Sequence, residues 1–106
     1  MILVPQLIFK GVKAEEVAQL SASLPTELSR LTDTPEDYFT FELVTSLFFN
    51  QGNQVAMYPL IEIKQFNRGL TVEQAMAKLI QAAICELGYQ ECEVYFTHID
   101  KENYYE

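Results

Sequence analysis

Two stretches of this chain share one plan: a proline, an alternating strand, a glycine turn and an amphipathic helix. The clearer copy runs from Tyr58 to Leu87. Tyr58-Pro59 opens it, and Leu60 to Phe66 alternates with period two, the pattern of a strand with unlike faces. Asn67-Arg68-Gly69 breaks the run. Thr71 stands three residues before Gln74, a capping-box spacing that predicts the helix start. Val72, Ala75, Met76, Leu79, Ala83, Ile84 and Leu87 then recur at helical spacing, so one helix face must pack. Gly88 follows where a left-handed residue ends a helix.

The first copy is looser. Pro5 to Lys10 predicts a strand with Leu7 and Phe9 on one face and Gln6, Ile8 and Lys10 on the other. In both copies a lysine stands five residues after the proline, Lys10 and Lys64. A helix is expected from Lys13-Ala14-Glu15-Glu16, with Val17, Leu20, Leu24, Leu28 and Leu31 as its stripe. Pro25 inside that stripe removes a backbone hydrogen bond at a cost of about 3 kcal/mol, which predicts a kink or a break. After a turn-rich connector, Tyr38 to Phe49 predicts one strand, Gln51-Gly52-Asn53 a turn, and Glu91 to Ile99 the last strand.

The order is β-α-β-β-α-β, an α+β two-layer sandwich. Two right-handed βαβ halves give a four-stranded mixed sheet with both helices on one face. Leu7, Phe9, Phe39, Phe41, Ile61, Ile63, Val94 and Phe96 form the helix-facing side. The other side collects Ile8, Lys10, Thr40, Glu42, Glu62, Lys64, Tyr95 and Thr97. It is either solvated or the interior of an oligomer with Glu and Lys pairing across subunits. A ferredoxin-like ligand-binding domain has the same element order and stays open as an alternative.

At 106 residues the chain, residues 1–106, is expected to be a single domain. A net charge of −8 with only seven Lys and Arg argues against nucleic acid and anionic membranes as partners. No apolar run approaches the roughly 20 residues of a membrane span, and Met1 to Pro5 lacks the features of a signal peptide. The expected location is cytoplasmic. Cys85 and Cys92 show no metal-ligand spacing, so no metal is expected, and both read as small buried residues.

Pro5-Gln6-Leu7, Tyr38-Phe39-Thr40-Phe41-Glu42, Tyr58-Pro59, Phe66-Asn67-Arg68-Gly69 and the Tyr104-Tyr105 tail resemble, in order and spacing, the tautomerase superfamily. That superfamily includes macrophage migration inhibitory factor and the hydroxymuconate isomerases, and the resemblance points to an uncharacterised bacterial family within it. It implies a homotrimer with sheets lining the interior, no cofactor, and keto–enol tautomerisation of a small carboxylated carbonyl compound. The base it implies is an N-terminal proline amine, matching Pro5. Here Pro5 follows four residues, and its nitrogen is an amide without a basic lone pair. If Val4 is encoded by GUG and translation starts there, removal of the initiating methionine frees Pro5.

The resemblance also implies that Tyr38, Tyr95 and Thr97 line the pocket. Thr34 stands where some members carry a lysine, and Arg68 is the substitute carboxylate anchor, at a strand end beside a helix N-terminus. Arg68 as a surface residue paired with Glu73 is the bland alternative. Lys10 and Lys64 read first as sheet-face partners of Glu42 and Glu62, although Lys64 also counts among the substrate-binding candidates. His98, the only histidine, reads as a surface or tail-packing residue, and the tyrosine tail as a contact with a neighbouring subunit. Two functions follow: a tautomerase if Pro5 is N-terminal, or a non-catalytic trimeric ligand-binding or assembly module that has lost the base.

Overall fold

The computed structural model describes residues 4–106; the expectations on Met1, Ile2 and Leu3 lie outside these. The elements are β1 (Gln6–Lys10), α1 (Ala14–Thr32), β2 (Thr40–Leu43), β3 (Phe48–Asn50), β4 (Asn53–Val55), β5 (Leu60–Gln65), α2 (Leu70–Glu86) and β6 (Glu93–His98). Short 3-10 turns cover Glu36–Tyr38 and Lys101–Asn103. The main sheet is mixed, in the order β2-β1-β5-β6. β1 runs parallel to β2 and β5 parallel to β6, while β1 and β5 meet antiparallel at the centre. Each strand–helix–strand half therefore spans one side of the sheet, as the duplicated pattern predicts.

Strand parity decides what is buried. Leu7, Phe9, Ile61 and Ile63 are wholly inaccessible and face Leu20, Leu24, Leu28, Met76, Ile80 and Ile84 of the helices. Burying each such side chain contributes about 1.5–3 kcal/mol, which fixes the register of the two central strands. Phe9 stacks on Phe41 with centroids 5.9 Å apart.

Gly11 joins β1 to α1 at φ +78°, and a Cβ there would sit 2.0 Å from the Tyr58 carbonyl oxygen. The turn after the first strand thus lies against the Tyr58-Pro59 backbone that opens the second copy. Gly88 takes φ +104° just beyond α2, and its N–H donates to the Cys85 carbonyl at 3.0 Å, as its position predicts.

Several local expectations are corrected. The strand expected over Tyr38–Phe49 is interrupted: β2 ends at Leu43, and Phe48–Asn50 leaves the main sheet to pair with Asn53–Val55. Gln51 and Gly52 both have positive φ, the conformation of a two-residue hairpin turn. Thr71 and Gln74 form no capping box, because α2 already starts at Leu70 with Gly69 as its cap; the Gly69 N–H donates to Asn67 Oδ1 at 2.9 Å. α1 runs unbroken through Pro25. Cys85 is exposed, one position past the buried Ile84 of α2, and Cys92 is half-buried, packed against the core. In the tail, whose contact with a neighbouring subunit stays an expectation, Tyr104 lies edge-on to Phe66 at 5.2 Å and Tyr105 is exposed. Among the described residues no helix is long and apolar enough to cross a membrane.

Candidate active site

The C-terminal end of β5 carries the unusual chemistry. Gln65 shares the parity of Ile61 and Ile63, so its amide is driven into the core and is wholly inaccessible. A buried amide must be hydrogen-bonded or it destabilises the fold. Gln65 Nε2 donates to Glu73 Oε2 at 2.9 Å, and Gln65 Oε1 accepts from Arg68 Nε at 3.1 Å. Arg68 also donates to the Thr32 carbonyl at 3.4 Å, at the end of α1.

Glu73 occupies the buried stripe of α2 with Met76, Ile80 and Ile84. Its carboxylate accepts from His98 Nε2 at 2.8 and 3.0 Å. An ionised carboxylate only accepts, so that nitrogen carries a proton. Burial pushes the Glu73 carboxyl upward, but the hydrogen bonds from Gln65 and His98, the His98 charge and the Arg68 backbone together outweigh it. The net shift is below the ordinary value of 4.5. Burial pulls Arg68 below its ordinary range, partly offset by Glu73. The result is one connected chain, Thr32–Arg68–Gln65–Glu73–His98, tying α1, β5, α2 and β6.

Arg68 faces a cavity of about 190 Å³ lined by Val4, Asp33, Thr34, Pro35, Tyr38 and Phe66. Tyr38 and Arg68 are therefore brought together beside Val4, the residue that acylates Pro5. Pro5 itself is fully buried. Thr34 is buried and donates to the Thr32 carbonyl at 3.2 Å, so the wall has no cation there. Arg68 is no surface residue in direct pairing with Glu73: the Gln65 amide stands between the two side chains.

Lys64, Tyr95 and Thr97 lie elsewhere, on the open sheet face. Lys64 sits between Gln6 and Thr97 in register, and Tyr95 beside Glu62. Thr97 Oγ1 donates to Glu62 Oε2 at 2.7 Å. Burial first, then Glu62, pushes the Tyr95 phenol upward. Among the described residues the contacts between basic and acidic side chains are Arg30–Glu27 and His98–Glu73, so Lys10 and Lys64 make no pair with Glu42 or Glu62 within the chain. Nor do three His, Cys, Asp or Glu side chains gather, among the described residues, where a metal could be held.

Sequence reasoning passed over Gln65, gave Glu73 only as a surface partner of Arg68, and read His98 as a surface or tail-packing residue; His98 is indeed exposed, but its ring reaches the Glu73 carboxylate. All three sit at the parity of core positions (61, 63, 65; 73, 76, 80; 94, 96, 98), and that was the available signal.

Comparison with known proteins places this geometry. A crystal structure of a DUF1904 domain from Sebaldella termitidis ATCC 33386 is 27% identical, covers 97% of this chain and 95% of its own, and superposes with a TM-score of 0.89. A protein of unknown function from Vibrio cholerae O1 biovar eltor is 32% identical over 95% of this chain and 82% of its own, with a TM-score of 0.83. The macrophage migration inhibitory factor-like protein of Entamoeba histolytica shares the fold at 16% identity, covering 96% of this chain and 94% of its own, with a TM-score of 0.71. A search of curated proteins gives no match. Residues 4–106 match the family described as Domain of unknown function (DUF1904), and the chain belongs to that family, built on the fold of the tautomerase superfamily.

Proposed function

We propose that this chain binds a small carboxylate at Arg68, between Val4, Tyr38 and Phe66, and that a form beginning at Pro5 tautomerises a bound 2-oxo acid. The observation that supports the reading is the state of Arg68. Its guanidinium is half-buried, and among the described residues it donates to the neutral Gln65 amide and the Thr32 carbonyl. Among the described residues this cation has no directly paired anion; on the wall of a small, mostly apolar cavity that Asp33 also lines, it favours a planar anionic ligand.

Val4 is bonded to the Pro5 nitrogen and lines the same cavity. Without Val4, the Pro5 amine opens into that space. A desolvated amine near a cation has its pKa lowered, which suits a base moving a proton between carbon and oxygen near neutral pH. We further assign the open sheet face, with Lys64, Tyr95 and Thr97, to the interior of a homotrimer, where these residues reach a neighbouring subunit's cavity. A solved neighbour of this fold, 16% identical, is inactivated by 2-oxo-3-pentynoate, an alkynyl 2-oxo acid.

A second reading is a trimeric module that binds or assembles without turnover. The acylated Pro5 nitrogen and Thr34 in place of a cation favour it for the 106-residue chain.

The test uses two forms, the 106-residue chain and one beginning at Pro5. Both should bind 2-oxo acids, and Arg68→Ala should weaken binding about 10- to 100-fold, the worth of a charge-assisted hydrogen bond. Only the Pro5 form should convert enol to keto acid and take up 2-oxo-3-pentynoate at Pro5 by mass. Binding without turnover or labelling in the Pro5 form supports the second reading. Absence of binding in both forms overturns both.

A further inference from the structure

A separate surface cavity, about 680 Å³, is lined by Tyr58, Gln81, Cys85, Glu91, Cys92 and Glu93. Both cysteines of the chain open onto it. Gln81 and Cys85 are one turn apart on α2 and share a face. Gln81 Nε2 donates to the Cys92 carbonyl at 3.0 Å, which pins the residue before β6 to that face. Gly88, at φ +104°, reverses the chain between the two cysteines. The two thiols are also within electrostatic reach. Burial first, then the charges of Cys85 and Glu93, push the Cys92 thiol up to about 11.

We propose that Cys85 and Cys92 are a redox pair that closes to an intrachain disulfide by exchange with a small-molecule disulfide. The exposed Cys85 thiolate attacks one sulfur of the oxidant, whose S–S bond breaks and releases one thiol. Cys92 then loses its proton and attacks the Cys85 sulfur, releasing the second thiol. The protein gives up two electrons and two protons, and the oxidant is reduced to two thiols. A disulfide requires Cα atoms within about 7 Å, an approach favoured by the pin to Gln81. Because Cys92 titrates high, the second step is the slow one, and its rate rises on the order of tenfold per pH unit near neutrality.

The experiment incubates the full chain with glutathione disulfide, quenches with acid and alkylating agent, and follows intact mass and peptide maps. The wild type should pass through a single glutathione adduct on Cys85 and end two hydrogens lighter, with Cys85 linked to Cys92. Closure should be faster at pH 9 than at pH 7. Cys92→Ser should stop at the single adduct, and Cys92→Ala, which buries no hydroxyl, should do the same. A wild-type chain that ends with two glutathiones, or whose single adduct persists at pH 9, overturns the proposal.

Discussion

Arg68 Nε donates to the side-chain oxygen of Gln65 at 3.1 Å, and that amide is wholly buried. One neutral residue thus fixes the orientation of the cavity's cation and, through its nitrogen, the Glu73 carboxylate. Gln65→Met keeps the volume and removes the oxygen and the nitrogen together. The variant should lose about 2 kcal/mol in urea unfolding, because Arg68 and Glu73 each lose a partner that water cannot replace. The Arg68 Nε–H resonance should move toward the solvent-exposed position in a nitrogen–proton correlation spectrum. An unchanged resonance would mean that Thr32 alone orients the guanidinium.

Glu73 makes the same network sensitive to acid. Its carboxyl titrates below the ordinary 4.5, so the folded state favours the ionised form. Its stabilisation is fully present above about 4.5 and is lost as pH falls through the lower, folded value. Glu73→Gln should cost roughly 1–3 kcal/mol at neutral pH, and the gap from wild type should narrow as pH falls below the ordinary 4.5. Denaturant unfolding of both proteins across that range checks it. A gap independent of pH would place the cost in shape alone.

The fold was legible because parity and helical spacing carry it directly: alternate residues in β5 and every third or fourth in α2 are the ones buried. The polar network was missed because polar residues were read for parity only on the open sheet face. Gln65, Glu73 and His98 sit on the same stripes, and a polar residue on an apolar stripe announces a partner. The β3–β4 hairpin left no such mark. Its three-residue strands pair only with each other, and their side chains are mostly exposed, so hydrophobicity does not alternate there. Cys85 was misplaced by residue type, although it lies one position past the buried Ile84. Tyr38 and Arg68 were placed from resemblance, and their shared cavity depends on α1 ending at Thr32, which spacing alone does not fix.

Gly11 couples the two copies sterically. Gly11→Ala places a methyl 2.0 Å from the Tyr58 carbonyl oxygen in a backbone conformation of positive φ. Gly88 has positive φ as well, but open space around it. Gly88→Ala should cost about 1 kcal/mol for conformation, whereas Gly11→Ala should cost more than about 2 kcal/mol because the Tyr58-Pro59 backbone must also shift. Equal midpoints of thermal unfolding for the two variants would show that the close approach relaxes freely.

Tyr89 ties the segment after α2 to the start of α1. Its hydroxyl donates to Glu16 Oε1 at 2.5 Å, and the same oxygen accepts the Lys13 N–H at 2.8 Å. Burial first, then Glu16, pushes the phenol up to about 12 from an ordinary 10.0. A raised phenol favours the neutral form in the fold, so its stabilisation is complete below pH 10.0 and is lost as pH rises toward 12. Tyr89→Phe should cost about 1 kcal/mol at neutral pH, the net worth of one hydrogen bond. Wild type and variant should then converge above pH 10.0, which unfolding at a series of alkaline pH values measures. Since other groups titrate there in both proteins, the difference between the two curves is the quantity that reports Tyr89. A difference that stays constant would mean that the ring, and not the hydroxyl bond to Glu16, joins the two halves.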